Sequence, residues 1–354
     1  MPPESLARTT LELVDIPSVS RDERAAAAYV RAQVPPPFAL VYDEDTCLCW
    51  LGPGDGTPVF LAGHLDTVPA QGNVPGRLET DAVHGLGASD MKGGLAVMLE
   101  LARWIAGEEP PLAVRPVLLF FGREEVPVEE SPLPDFFAAH EELVRRAALA
   151  VVLEPTDNEL HAGCVGNLNA RLTFRGVSAH SARPWLGANA IHAAVRSLRA
   201  VAELEPHDVD VDGLVYREVV SAVRIEGGIA SNVVPDLATC ELNFRYAPGR
   251  SPTAAEARLR ELVGPGPVLE VTSNSPSAPP ARSNPLVERL RQAGDLRLRP
   301  KQAWTPVAQF AEVGVDAINF GPGATAYAHK RDEQVPVENL VTCFETLRRF
   351  LGSV

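Results

Sequence analysis

Four short apolar runs, FALVY, PVFLAG, RPVLLFF and ALAVVLE, punctuate the first half of the chain, each bounded by Pro, Gly or charged residues. Continuous runs of this length predict strands buried on both faces. Between the second and third lies MKGGLAVMLELARWIAG, whose apolar positions follow a helical period. Ahead of them, SVSRDERAAAAYVRAQV sets Ser20 three residues before Glu23. That spacing predicts a capping box opening an alanine-rich helix, which Pro35, Pro36 and Pro37 stop. Strand and helix alternate, so an α/β sheet is expected.

From Asn167 onward the pattern changes. NLNARLTFRG alternates, GANAIHAAVRSLRAVAEL is helical, EVVSAVRIEGG and LATCELNFRY alternate again, and TAAEARLRELV and VLEVTS follow. The order β-α-β-β-α-β predicts a ferredoxin-like α+β unit of a size that folds by itself. The Pro- and Ser-rich SNSPSAPPARSNP marks its exit, after which PLVERLRQAG, VDAINFGPG and ENLVTCFETLRRFL return to the α/β texture. One domain is therefore expected over 1–166 and 274–354, with a second inserted over 167–273.

Composition narrows the function classes. The 354 residues are 45% hydrophobic, enough for a large core, and carry 32 Lys and Arg against 46 Asp and Glu. A formal charge of −14 argues against a nucleic-acid partner and suits a dissolved enzyme that recruits cations. Cys47, Cys49, Cys164, Cys240 and Cys343 are odd in number and scattered, which predicts neither a disulfide framework nor a thiolate zinc site. The acidic MPPESLARTTLELVD does not read as a signal peptide, and no window reaches the roughly 18 apolar residues of a membrane span. A cytoplasmic protein without a membrane partner is expected. No GxGxxG follows a strand and no P-loop occurs, so a nucleotide cofactor is not indicated.

The candidate chemistry begins at GHLDTVP, where His64 and Asp66 follow an apolar run. Asp90 lies in GLGASDMKGG just before a helix, Glu124 and Glu125 end RPVLLFFGREE, Glu154 ends ALAVVLE, and His329 follows DAINFGPGATAYA. Four of these five places come directly after strand-like runs, and open α/β sheets set ligand sites at the carboxyl ends of strands. Two imidazoles and three carboxylates suit zinc or a neighbouring divalent ion, cobalt or manganese included. Five protein ligands exceed one open tetrahedral site. The economical reading is two metals, one on His64 and Glu154, the other on Glu125 and His329, with Asp90 between them. Asp66 is then expected to take the second N–H of the His64 ring and fix its tautomer. Glu124, adjacent to a ligand but left over, is the candidate general base.

In order and approximate spacing, GHLDTVP, SDMKGG, the EE pair, EPT and the terminal GPG…AH…DE resemble the di-zinc family of aminoacylases, carboxypeptidases and N-acyl-diamino-acid deacylases. The likeness runs through the whole chain. HSARPWLGANAIH, YREVVSAVRIEGGIASNVVPD and FRYAPGRS are similar to the actinobacterial-type desuccinylase branch of that family. The resemblance implies a mixed-sheet di-zinc catalytic domain and makes the insert its lid and dimerisation domain. It also implies that His180 reaches a partner subunit's active site to hold the scissile carbonyl's oxyanion. Asn232 and Arg245 then match lid positions that contact substrate carboxylates, and Gly323 and Thr325 fall in a loop facing the substrate. Many relatives carry Arg where Leu86 stands, and Ser or Thr followed by Asp where Thr305 precedes Pro306. Other desuccinylases have basic residues in place of Cys164 and Val165, which leaves Arg183 as the anion contact here.

The expected activity is hydrolysis of the amide of an N-acyl diamino acid, N-succinyl-LL-2,6-diaminopimelate first, by a homodimer joined through the lid. N-acetyl-ornithine, N-acetyl-lysine, another N-acyl amino acid or a dipeptide are the alternative substrates. A catalytically silent binding module is the alternative of a different class, and a retained Glu124 argues against it.

Overall fold

The computed structural model describes residues 3–353 and divides into two compact units. The larger comprises residues up to Gly163, Ala281–Arg299 and Thr305 onward; the smaller comprises Cys164–Pro280 and Pro300–Trp304.

The larger unit is built on an eight-stranded mixed sheet. Its order is Ala39–Glu44, Cys47–Leu51, Arg115–Phe121, Pro58–His64, Leu149–Val152, Ala317–Asn319, Leu160–Ala162 and Leu298–Pro300. Arg115–Phe121, Pro58–His64, Leu149–Val152 and Ala317–Asn319 run parallel to one another, in the register Phe60↔Val117, Phe60↔Ala150 and Ile318↔Val151, while the strands that flank them pair antiparallel. Every residue of Pro58–His64 and Leu149–Val152 is buried, as the unbroken apolar runs require.

Side-chain alternation tells which helices cover which face. A Cβ on Gly63 would meet Leu95 and Met91 at 2.6 and 2.7 Å, so the helix Gly93–Glu108 lies tight against that side. Phe60 points the opposite way, into Phe136 and Phe310 at ring separations of 6.1 and 5.6 Å. Those two rings belong to the helices Leu133–Ala139 and Val307–Glu312.

The smaller unit is an antiparallel sheet in the order His207–Val211, Leu214–Gly227, Leu237–Tyr246, Gly166–Arg175, Val268–Ser275. Ala238, Cys240, Leu242, Phe244 and Tyr246 turn inward and form one core with the helices Ala190–Ala202 and Pro252–Val263. Asn189 and Ser251 cap those helices through side chains that accept the N–H groups of His192 and Ala254, both at 3.1 Å. The four-strand order expected from the sequence is corrected to five. His207–Val211 pairs with Leu214–Gly227 through a hairpin at Asp212 and Gly213, both at positive φ, and its polar HDVDV pattern hid it.

The expected capping box is also overturned. Glu23 flanks the helix Arg24–Gln33 with no side-chain cap bond, and its Oε1 instead accepts the N–H groups of Arg21 and Arg123 at 2.7 and 3.2 Å. Ser20 turns away to Asp66, where both residues serve the candidate site.

Phe60 sits at the centre of the aromatic contact between sheet and helices. Phe60→Ala is expected to cost about 3–5 kcal/mol in a urea unfolding titration; a loss under about 1 kcal/mol would show that this contact does not hold the helices to the sheet.

Candidate metal centre

His64 is the last residue of its strand, Glu124 lies three residues past Phe121, and Glu154 two past Val152. The parallel strands thus deliver them to one edge of the sheet. Asp90 comes from the irregular turn Ala88–Lys92 before the helix Gly93–Glu108, and His329 from the loop after Ala317–Asn319.

These residues meet. Ligand atoms of His64, Asp90 and Glu154 lie within 4.8 Å of one another, as do those of Asp90, Glu125 and His329, and those of His64, Glu124 and Glu125. Asp90 is common to the first two groups and faces both imidazoles. Its Oδ1 is 3.1 Å from His64 Nε2 and its Oδ2 is 3.5 Å from His329 Nε2. His329 Nε2 also lies 2.8 Å from Glu125 Oε1, and His64 Nε2 lies 3.9 Å from Glu154 Oε1.

The electrostatics of the cluster follow from crowding. Burial first, then repulsion from Glu154, Glu125 and Asp90, pushes the Glu124 carboxyl well above its ordinary range, against the opposing pull of His64. For His64 burial disfavours the cation, but Asp66, Asp90 and Glu124 outweigh it and raise its pKa. His329, half exposed, is raised to about 9, chiefly by its hydrogen bond to Glu125. Carboxylates this close and this sheltered ionise together only beside added positive charge. Imidazole and carboxylate donors in two groups that share one carboxylate fit a pair of divalent cations.

Asp66 is buried beside His64, and its expected contact is corrected in detail. His64 Nδ1 makes its 3.0 Å hydrogen bond to the main-chain carbonyl of Asp66, while the nearer carboxylate oxygen stands 3.6 Å away. The carboxylate instead accepts three other groups: Glu124 N–H on Oδ1 at 3.0 Å, Glu125 N–H on Oδ2 at 3.0 Å, and Ser20 Oγ–H on Oδ2 at 2.7 Å. With Glu23 on the N–H of Arg123, two buried carboxylates hold three successive amides of the turn that aims the acidic pair.

Gly323 and Thr325 also belong to this unit. A Cβ on Gly323 would come within 2.0 Å of the Ser89 carbonyl, and Thr325 Oγ donates to the carbonyl of Pro155 at 3.1 Å, so both pack on segments that carry Asp90 and Glu154. In the smaller unit, His180, Arg183 and Asn232 are joined by main-chain bonds: Ser181 N–H to Asn232 O at 2.9 Å and Arg183 N–H to His180 O at 2.7 Å. Arg245 is separate from these three. It sits on the sheet face opposite the helices, its Nε donating to Asn243 Oδ1 at 2.9 Å.

Sequence reasoning missed Ser20, Glu23 and Glu333 as parts of the site. The only available signal for Glu333 was its place in the terminal AH…DE pattern, in a run of charges that otherwise reads as solvated surface.

The Asp66 carboxyl falls from its ordinary 3.8 to about 2, because burial is outweighed by His64 and the Glu124 and Glu125 N–H groups. A folded pKa below the unfolded one contributes stability that is fully present above pH ~4 and lost as pH falls through about 2. In the metal-stripped protein, Asp66→Asn is therefore expected to lose about 2 kcal/mol in denaturant unfolding near pH 6, and about half of that gap near pH 3. A gap that does not change over this range would contradict the assignment.

Comparison with known proteins places these features in a family. The chain is 40% identical over 355 aligned residues to a Mycobacterium tuberculosis protein provisionally named succinyl-diaminopimelate desuccinylase DapE, covering 97% of each chain. It is 37% identical to the succinyl-diaminopimelate desuccinylase of Corynebacterium glutamicum, covering 97% of this chain and 95% of that one. Its fold is that of the aminopeptidase PepT of Bacillus cereus, with a TM-score of 0.81 at 21% identity over 99% of this chain and 98% of the other. The family model for peptidase family M20/M25/M40 matches residues 60–353, and the chain belongs to that family.

Proposed function

We propose that this protein is a metal-dependent amidohydrolase that removes the succinyl group from N-succinyl-LL-2,6-diaminopimelate, releasing succinate and the free diamine. The observation that carries this reading is the shared Asp90, with one carboxylate oxygen toward His64 and the other toward His329, beside a glutamate, Glu124, that neither Asp90 group includes. His64, Asp90 and Glu154 would hold one cation and Asp90, Glu125 and His329 the other, zinc in this reading. The ions would polarise the amide carbonyl and make water more acidic.

The remaining steps belong to side chains. Glu124 takes a proton from the attacking water and delivers it to the leaving nitrogen, a task suited to a carboxyl whose pKa burial and neighbouring acids have raised. Asp66 and Ser20 keep it aimed. His180 Nδ1 accepts the N–H of Ala182 at 3.1 Å, so a neutral ring carries its proton on Nε2, ready to donate to a developing oxyanion. Arg245 has no acidic ion-pair partner among the described residues, and it offers its charge, with Asn232 and the exposed Arg183, to the carboxylates of the substrate. Gly323 and Thr325 line the substrate side of the cation pair.

The smaller unit acts in this reading as lid and dimer contact over residues 167–273. Its strand Leu214–Gly227 is covered by His207–Val211 only as far as Glu218. Beyond that point its outer edge carries Val223 and Ile225, 62% and 57% exposed, and such an edge invites a second strand. A second copy of the chain is the proposed occupant. No helix among the described residues is long and apolar enough to cross a membrane, and all five cysteines are buried thiols, which supports a cytoplasmic setting.

Glu124→Gln is expected to retain wild-type metal content and lose about 10²–10⁴-fold in kcat. On a panel of succinyl, acetyl and dipeptide substrates, wild type should turn over N-succinyl-LL-2,6-diaminopimelate best and fall silent after chelation; a preference for N-acetyl-ornithine would overturn the substrate, and equal turnover by Glu124→Gln the base. Val223→Lys with Ile225→Lys should shift the protein from dimer to monomer in light scattering, and an unchanged mass would refute the strand-edge contact.

A further inference from the structure

Glu333 is 2% exposed and spends both carboxylate oxygens on main-chain N–H groups of one turn. Oε2 accepts Gly87 N–H at 3.0 Å, and Oε1 accepts Ser89 N–H at 3.1 Å and Asp90 N–H at 3.0 Å. Its main-chain carbonyl accepts Gly85 N–H at 3.0 Å. Nearby, Ser89 Oγ accepts Ala324 N–H at 2.8 Å and donates to the Ala324 carbonyl at 3.0 Å. The turn that presents Asp90 therefore hangs from residues 323–333, the same segment that carries His329.

The relative placement of Asp90 and His329 is thus set within one hydrogen-bonded assembly. Glu333 supplies its carboxyl acceptor, taking three of the N–H groups, whereas Ser89 and Ala324 contribute a hydroxyl and main-chain groups. The strand Gln334–Pro336, which begins at the next residue, pairs with Ala82–His84 in the register Gln334↔His84 and fixes where Glu333 starts. Asp90 faces His64 and His329 with different oxygens at 3.1 and 3.5 Å, so a small rotation of the turn takes one oxygen off its partner.

The two donor groups are unequal in what else holds them. His64 and Glu154 are 0% and 5% exposed and follow directly from buried strands, whereas the His329 side chain is 50% exposed on a loop. A loss of aim at Asp90 falls hardest on the group containing His329.

We propose that Glu333 is a positioning residue that aims Asp90 toward His329 and thereby sets how tightly the cation at Asp90, Glu125 and His329 is held. The inference rests on the cation-pair reading above. Glutamine at 333 keeps the shape but offers one acceptor oxygen to three N–H groups and turns an NH₂ toward donors. Aspartate keeps the carboxyl group and withdraws it by one methylene.

The test is a calorimetric titration of metal-stripped wild type, Glu333→Gln and Glu333→Asp with zinc, repeated with cobalt(II) and read by visible absorption. Wild type should take up two equivalents. Glu333→Gln should bind the first ion within about threefold of wild type and the second about 10–100-fold more weakly, with the second step of the cobalt spectrum displaced to match. Glu333→Asp should show the same selective loss, and it serves as the test if Glu333→Gln does not fold. Wild-type affinity for both ions in either folded variant, or a loss confined to the unfolding midpoint, overturns the proposal. Failure of the underlying reading is visible separately, as a wild type that binds fewer than two ions.

Discussion

Four carboxylates, Asp90, Glu124, Glu125 and Glu154, and two imidazoles are gathered at one edge of a sheet whose central strands Pro58–His64 and Leu149–Val152 are otherwise apolar. Their mutual repulsion under burial is the constraint that the larger unit is organised around. Such a cluster is stable only if positive charge compensates it and if each acid is held in place while the others push. The parallel strands supply the convergence: the chain leaves Pro58–His64, Arg115–Phe121 and Leu149–Val152 at the same edge, where side chains are released from the core.

Holding the acids is a task for backbone amides rather than for ion pairs. Asp66 and Glu23 grip the amides of residues 123–125, and Glu333 grips those of Gly87, Ser89 and Asp90. Main-chain N–H groups are fixed in place by the fold, so a carboxylate that accepts them fixes the turn and with it the direction of the acidic side chains the turn carries. The side chains that recognise substrate in our reading belong to the smaller unit, where Arg245 shares a sheet face with Asn243, Asn167 and Asn169 and Arg183 stands in the loop that carries His180.

How much of this the sequence could tell depends on whether a residue's role is local. Strand-end acids and histidines were legible because an apolar run followed by His or Glu has a direct meaning, and His64, Glu124, Glu125 and Glu154 all stand in that position. The grouping of Asp90 with both histidines was reachable by counting ligands. Ser20 and Glu23 were misread, because a Ser and a Glu three apart before a helix satisfy a local rule while their actual partners, Asp66 and Arg123, lie 46 and 100 residues away. Glu333 was given no role for the same reason, its partners being about 245 residues earlier. The strand His207–Val211 failed differently: an edge strand with polar alternation buries too little to leave an apolar signature.

The measurement that bears most directly on the account is anomalous diffraction from crystals grown with zinc, recorded on both sides of the zinc absorption edge. The account predicts two peaks, one bounded by His64, Asp90 and Glu154 and the other by Asp90, Glu125 and His329, with the Asp90 carboxylate between them. A single peak, or two peaks that do not share Asp90, would contradict it.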